Sequence, residues 1–86
     1  MRIWKWTLGL TDIQSLPMPE GAKVLTVQMQ HGALALWALV DENAPQSNRS
    51  FAIYGTGNPM PQSPGEYVGT FQLRNGDLVF HVFEPA

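Results

Sequence analysis

Apolar and polar residues alternate along most of this chain, and most strictly in Ala22–Val40, AKVLTVQMQHGALALWALV. A two-residue period sends successive side chains to opposite faces of a strand, so one face can be buried while the other meets water. Two such runs flank His31-Gly32, whose glycine suits a tight two-residue turn. With the turn there, Gln30 faces Ala33 and Met29 faces Leu34. One face of this hairpin then holds Leu25, Val27, Met29, Leu34, Leu36, Ala38 and Val40, with Lys23 the only polar residue, at its far end. That face is expected to be core. The other holds Val24, Thr26, Gln28, Gln30, Ala33, Ala35, Trp37 and Leu39, so a large aromatic sits opposite a threonine among polar neighbours.

The same reading extends along the chain. Arg2 to Leu10 alternates with Trp4, Trp6, Leu8 and Leu10 on one face, a strand with an aromatic inner side. Thr11-Asp12 reads as a turn. Ile13 to Met18 reads as a short return strand, confined to an edge or a bulge by Pro17 and Pro19. Pro19-Glu20-Gly21 turns the chain into the central hairpin. Asp41 to Ser50 is the most polar segment and is expected to be a loop, with room for a short helical turn. Phe51 to Tyr54 reads as a short strand, and Gly55 to Gly65, GTGNPMPQSPG, as the main irregular loop. Glu66 to Leu73 and Leu78 to Phe83 form a second hairpin around Arg74-Asn75-Gly76-Asp77, whose Asn-Gly is a strong turn signal. Its expected core face is Tyr67, Gly69, Phe71, Leu73, Leu78, Phe80 and Val82. On its other face Thr70 lies opposite His81.

No segment has a helical period with caps. The expectation is a single all-β domain over residues 1–86: six or seven antiparallel strands in a compact sandwich or partly closed barrel. Its core should include Trp6, Leu25, Val27, Leu34, Leu36, Phe71 and Phe80.

Composition narrows the function classes. A 44% hydrophobic fraction is ordinary for a globular chain and argues against disorder. The net charge of −2 offers no basic footprint, which disfavours duplex nucleic acid. With no cysteine there is no disulfide, no thiol nucleophile and no cysteine-based zinc site, a pattern that fits a reducing cytoplasm. No apolar run reaches membrane-spanning length, and the N-terminus has no signal-peptide apolar region. Three Trp, two Tyr and four Phe are many for so small a domain and suggest a homo-oligomer, most simply a dimer.

Candidate chemistry is sparse. Ser15, Ser47, Ser50 and Ser63 lie in no nucleophile motif, the two histidines have no metal-ligand spacing, and no carboxylate pair is placed for acid–base work. An enzyme is therefore not expected, and neither is a cofactor. Tyr54-Gly55-Thr56-Gly57-Asn58 is the most suggestive stretch: glycines let backbone N–H groups approach an anion, Thr and Asn add donors, and a tyrosine can stack on a base. The bland alternative is a turn leaving a strand, since the phosphate-loop and dinucleotide fingerprints are absent. Trp37 and Tyr67 are available for stacking, and Arg49 and Arg74 for phosphate, although each arginine reads more readily as a solvated loop residue. His31 reads as a turn residue and His81 as a hydrogen-bonded structural one. The mixed hairpin faces are either solvated or part of a groove or subunit interface.

Four segments carry a resemblance: RIWKWTL, MPEGAKVLTVQMQHGALALWALVD, IYGTGNPM and GEYVGTFQLRNGDLVFHVFE. Over roughly Met1 to Glu84 they resemble a widespread family of small phage and prophage proteins of unassigned function, the DUF7352 type. The chain is also similar to the small phage sponge proteins that sequester cyclic-nucleotide immune signals, as anti-CBASS proteins do. That similarity implies a non-enzymatic, oligomeric binder of a cyclic dinucleotide such as 3′3′-cGAMP, acting in the host cytoplasm. It carries no residue-level motif, so the expected ligand residues rest on chemistry: Tyr54, Gly55, Thr56, Gly57, Asn58, Trp37, Tyr67 and Arg49. The rival expectations are a small phage protein that inhibits a host protein through an exposed aromatic face, and a structural or virion accessory protein.

Overall fold

The computed structural model describes all residues from Met1 to Ala86. Seven strands follow one another: β1 (Arg2–Leu8), β2 (Ile13–Pro19), β3 (Lys23–Gln30), β4 (Ala33–Val40), β5 (Gln46–Gly55), β6 (Glu66–Leu73) and β7 (Leu78–Glu84). There is no α-helix; a single 3₁₀ turn, Arg74–Gly76, closes the last hairpin. The strands form two antiparallel sheets, β1-β4-β3 and β2-β5-β7-β6, packed as a sandwich. They do not close into a barrel.

Both hairpin turns form where turn chemistry places them. His31 and Gly32 take the left-handed backbone that a two-residue turn needs, with φ of 50° and 79°. The register above them is as expected: Gln30 pairs with Ala33, Val27 with Leu36 and Thr26 with Trp37. In the second hairpin Leu73 pairs with Leu78, Phe71 with Phe80 and Thr70 with His81.

The core lies between the sheets. Leu34, Leu36, Ala38 and Val40 of β4 are buried, facing Phe51 and Ile53 of β5, Phe71 of β6 and Val82 of β7. Trp4, Trp6 and Phe80 are partly buried against this cluster. β1 and β2 border the two sheets on one side. There the Trp6 indole N–H donates to the Pro17 carbonyl at 3.0 Å. Gln14 ties both the N–H and the carbonyl of Gly9 across the connecting turn, at 3.0 and 2.8 Å. As its prolines require, β2 is an edge strand.

Several expectations are corrected. Leu78, expected on the core face, is exposed beside the hairpin turn, and Leu10, expected on the inner face of the first strand, lies beyond its end and is exposed. Leu25 is not core: it is the extra residue of a β-bulge, because Val24 pairs with Ala38 while Thr26 pairs with Trp37. The bulge turns Val24 inward and leaves Leu25 43% exposed. Tyr67 likewise leaves the core face. A second bulge inserts Val68 between the Tyr67–Phe83 and Gly69–Val82 pairs, so Val68 packs inward and Tyr67 points outward. Finally, Gln46–Ser50 is not loop but the first half of β5, paired along β2 from Ser15 to Pro19. Its polar composition hid a strand whose backbone groups are satisfied by a partner.

The two bulges share a cause. β3 and β6 are the edge strands on the side of the sandwich away from β1 and β2, and they pack against each other. Bulges add local twist, which brings the two edges together. Gly69 permits the contact, since a Cβ there would lie 2.8 Å from Val27 Cγ2.

Candidate ligand pocket at one end of the sandwich

β5 runs out of its sheet at Gly55, and the chain turns sharply through Thr56 to Asn58. The turn is held by two backbone bonds, Thr56 N–H to the Val79 carbonyl (3.0 Å) and Asn58 N–H to the Gly55 carbonyl (3.1 Å). Gly57 sits at φ 88°, a conformation that a side chain would strain. The β1–β2 turn comes to the same end, because Ile53 N–H donates to the Asp12 carbonyl at 3.0 Å. A cavity of about 400 Å³ opens between these two loops. Its apolar lining is Leu10, Ile53, Pro59 and the stacked rings of Phe71 and Phe80, whose centroids are 5.5 Å apart at 23°. Thr11, Asp12, Tyr54, Gly55 and Asn58 complete the lining.

A shallower depression lies beside it, lined by Thr56, Gly57, Met60, His81 and Phe83. It belongs to the outer face of the β2-β5-β7-β6 sheet, where polar and aromatic side chains form one connected patch. His81 Nε2 lies 2.7 Å from Thr56 Oγ1, and Nδ1 lies 3.0 Å from Thr70 Oγ1. Thr70 Oγ1 in turn meets the Tyr67 hydroxyl at 2.6 Å. Each ring nitrogen faces one threonine hydroxyl, and the hydroxyls can donate or accept to match the tautomer. Phe83 packs edge-on between Tyr54 and Tyr67, with centroids 6.0 and 5.5 Å away.

The eight expected ligand residues therefore do not form one site. Tyr54, Gly55 and Asn58 line the cavity, and Thr56 and Gly57 lie on its outer rim. Tyr67 joins that rim only through Thr70, Phe83 and His81. Trp37 lies on the outer face of the other sheet, paired with Thr26 and Lys5. Arg49 is engaged elsewhere: its Nε and Nη2 donate to the two Glu84 carboxylate oxygens, and its Nη1 donates to the Ala22 carbonyl at 2.8 Å. This pair raises the arginine's pKa above its ordinary value and pins β5, β7 and the start of β3 together. The glycine loop also has less to give an anion than its sequence suggests, because the Thr56 and Asn58 N–H groups are already bonded. Sequence reasoning missed Leu10, Asp12, Phe71 and Phe80 as pocket residues. Thr11-Asp12 was legible as a turn, but nothing local tied it to Ile53. No three His, Cys, Asp or Glu side chains come together as a metal site. No helix is long and apolar enough to cross a membrane.

A family described as "Domain of unknown function (DUF7352)" matches residues 1–86, the whole sequence given. The chain belongs to the DUF7352 family. Comparison of this DUF7352 chain with curated proteins finds no match. Comparison with solved structures likewise finds none.

Proposed function

We propose that this DUF7352 protein is a phage-type, non-catalytic binding protein that sequesters a cyclic nucleotide immune signal of the 3′3′-cGAMP class in the host cytoplasm. The observation that supports this reading is the cavity of about 400 Å³ beside the Tyr54–Asn58 loop. Its volume is in the range of small-ligand sites, and its lining is mostly apolar and aromatic with a few polar groups, the usual make-up of such sites. The space suits one nucleoside rather than a whole cyclic dinucleotide. A ligand with two similar halves would then be held by two copies of the protein related by a two-fold axis, which makes the binder a dimer. Sequestration needs no chemistry at the ligand, only protein in excess of signal and affinity above that of the host receptor.

The test is a thermal-shift screen against cyclic and linear nucleotides. A ligand at 100 times its dissociation constant adds about 2.7 kcal/mol of stability, equivalent to roughly 10 °C or more for a domain of this size. Absence of a shift with every nucleotide would refute the reading. A second reading, inhibition of a host protein, is favoured by the outward Tyr54–Phe83–Tyr67 cluster, since tyrosines with free rims are enriched at protein interfaces. That reading predicts stoichiometric co-purification of a host protein, abolished by substitutions on this face.

A further inference from the structure

The charges at the cavity say which part of a nucleotide it takes. The chain has five Lys and Arg residues. Arg2 pairs with Glu42, Arg49 pairs with Glu84, and Lys5 donates to Gln30 at 2.8 Å. Lys23 lines a different depression, next to Arg49, and Arg74 sits on the β6–β7 turn outside the cavity lining. The cavity itself holds no cation. Its lining residues do include Asp12, whose exposed carboxylate makes no hydrogen bond or ion pair within the protein, and Asn58, whose exposed side-chain amide likewise makes none. A phosphate placed there would meet a like charge with no compensating donor of full charge. A planar ring edged with N–H donors would meet an acceptor carboxylate beside an apolar floor.

We infer that the cavity is a nucleobase site that selects an amino-substituted purine of the guanine type, with the phosphates left outside in solvent. Two adjacent donors, the ring N1–H and the exocyclic N2 amine, pair with the two oxygens of Asp12. The ring lies against the aromatic floor of Phe71 and Phe80, and Asn58 covers a further edge. A carboxylate accepting two hydrogen bonds in plane is a strong and directional recognition element. This inference rests on the nucleotide reading above and specifies which end of the ligand enters.

The experiment is calorimetric titration of guanosine, guanosine monophosphate, 3′3′-cGAMP, inosine and inorganic phosphate, repeated with Asp12→Asn and Asn58→Ala. Both side chains are exposed and unbonded, and the fold uses only the backbone carbonyl of Asp12, so both variants keep the fold. Guanosine, which carries no phosphate, is expected to bind the wild-type protein. Inosine, lacking the N2 amine, is expected to bind at least tenfold more weakly. Asp12→Asn should weaken guanosine by about ten- to a hundredfold, the range for losing hydrogen bonds to a charged group, and Asn58→Ala by less. Inorganic phosphate should not compete. If guanosine and inosine bind equally, if only phosphorylated ligands bind, or if Asp12→Asn binds as well as or better than wild type, the inference is overturned while the nucleotide reading stands. If neither nucleosides nor nucleotides bind, both fall.

Discussion

Replacing Arg49 with Met separates a structural arginine from a phosphate-binding one. The side chain keeps its length and apolar stem but loses three contacts: two hydrogen bonds to Glu84 and one to the Ala22 carbonyl. The two side chains are 24% and 19% exposed, so the pair is neither a surface pair nor fully buried. Exposed pairs contribute about 0–1 kcal/mol, whereas breaking a buried pair by removing one partner costs about 3–5 kcal/mol. The expected loss is between these, about 1–3 kcal/mol, because Glu84 keeps partial access to water. In a domain of 86 residues that lowers the melting temperature by roughly 4–8 °C per kcal/mol. Urea melts of the wild type, Arg49→Met, Glu84→Gln and the double variant give the coupling energy. The double variant should be less destabilised than the sum of the two singles. Ligand affinity of the folded Arg49→Met protein should be unchanged, and so should its salt dependence. A variant of wild-type stability that loses affinity with a flattened salt dependence would refute the structural assignment and restore Arg49 as a phosphate contact.

Leu36→Ala should cost about 2–5 kcal/mol, since Leu36 is fully buried; Leu25→Ala, in the bulge, should stay within about 0.5 kcal/mol, and equal costs in denaturant melts would reject the bulged register. Gly69→Ala should destabilise by about 1–3 kcal/mol through overpacking against Val27, and rescue by Val27→Ala in the same melts checks the contact. Phe80→Leu, which removes one ring of the cavity floor, should weaken nucleotide binding by about 1–3 kcal/mol through lost stacking, whereas Tyr54→Ala, whose ring packs outward on Phe83, and Trp37→Ala, on the opposite outer face, should leave binding nearly unchanged by titration. Sedimentation at tens of micromolar protein without ligand should show a dimer; a monomer there would contradict the homo-oligomer.

What the sequence revealed follows the range of the forces involved. The two hairpins are local: alternation and a turn dipeptide place Thr26 opposite Trp37 and Phe71 opposite Phe80, and the structure agrees. The bulges at Leu25 and Val68 have no local signal. They arise where two edge strands, far apart in sequence, must approach at Val27 and Gly69, and each shifts one end of a strand to the other face. Gln46–Ser50 was unreadable for a related reason. Its strand is specified by pairing with β2 rather than by an apolar face of its own. At the site, the Tyr54–Asn58 loop stood out through its glycines, but the Asp12 side of the cavity did not, because only β2–β5 pairing brings that turn to Ile53. Arg49 looked like a spare cation because its carboxylate partner is 35 residues away.

Sequestration is tested most directly by mass balance. Purified protein in molar excess is mixed with 3′3′-cGAMP, the free ligand is quantified after ultrafiltration, and the retained fraction is released by heat and analysed by mass spectrometry. The account predicts that free ligand falls in proportion to the protein added, and that heat returns the full amount with its mass and both phosphodiester linkages unchanged. Ligand that remains free at protein excess, or that returns linearised or hydrolysed, would contradict it.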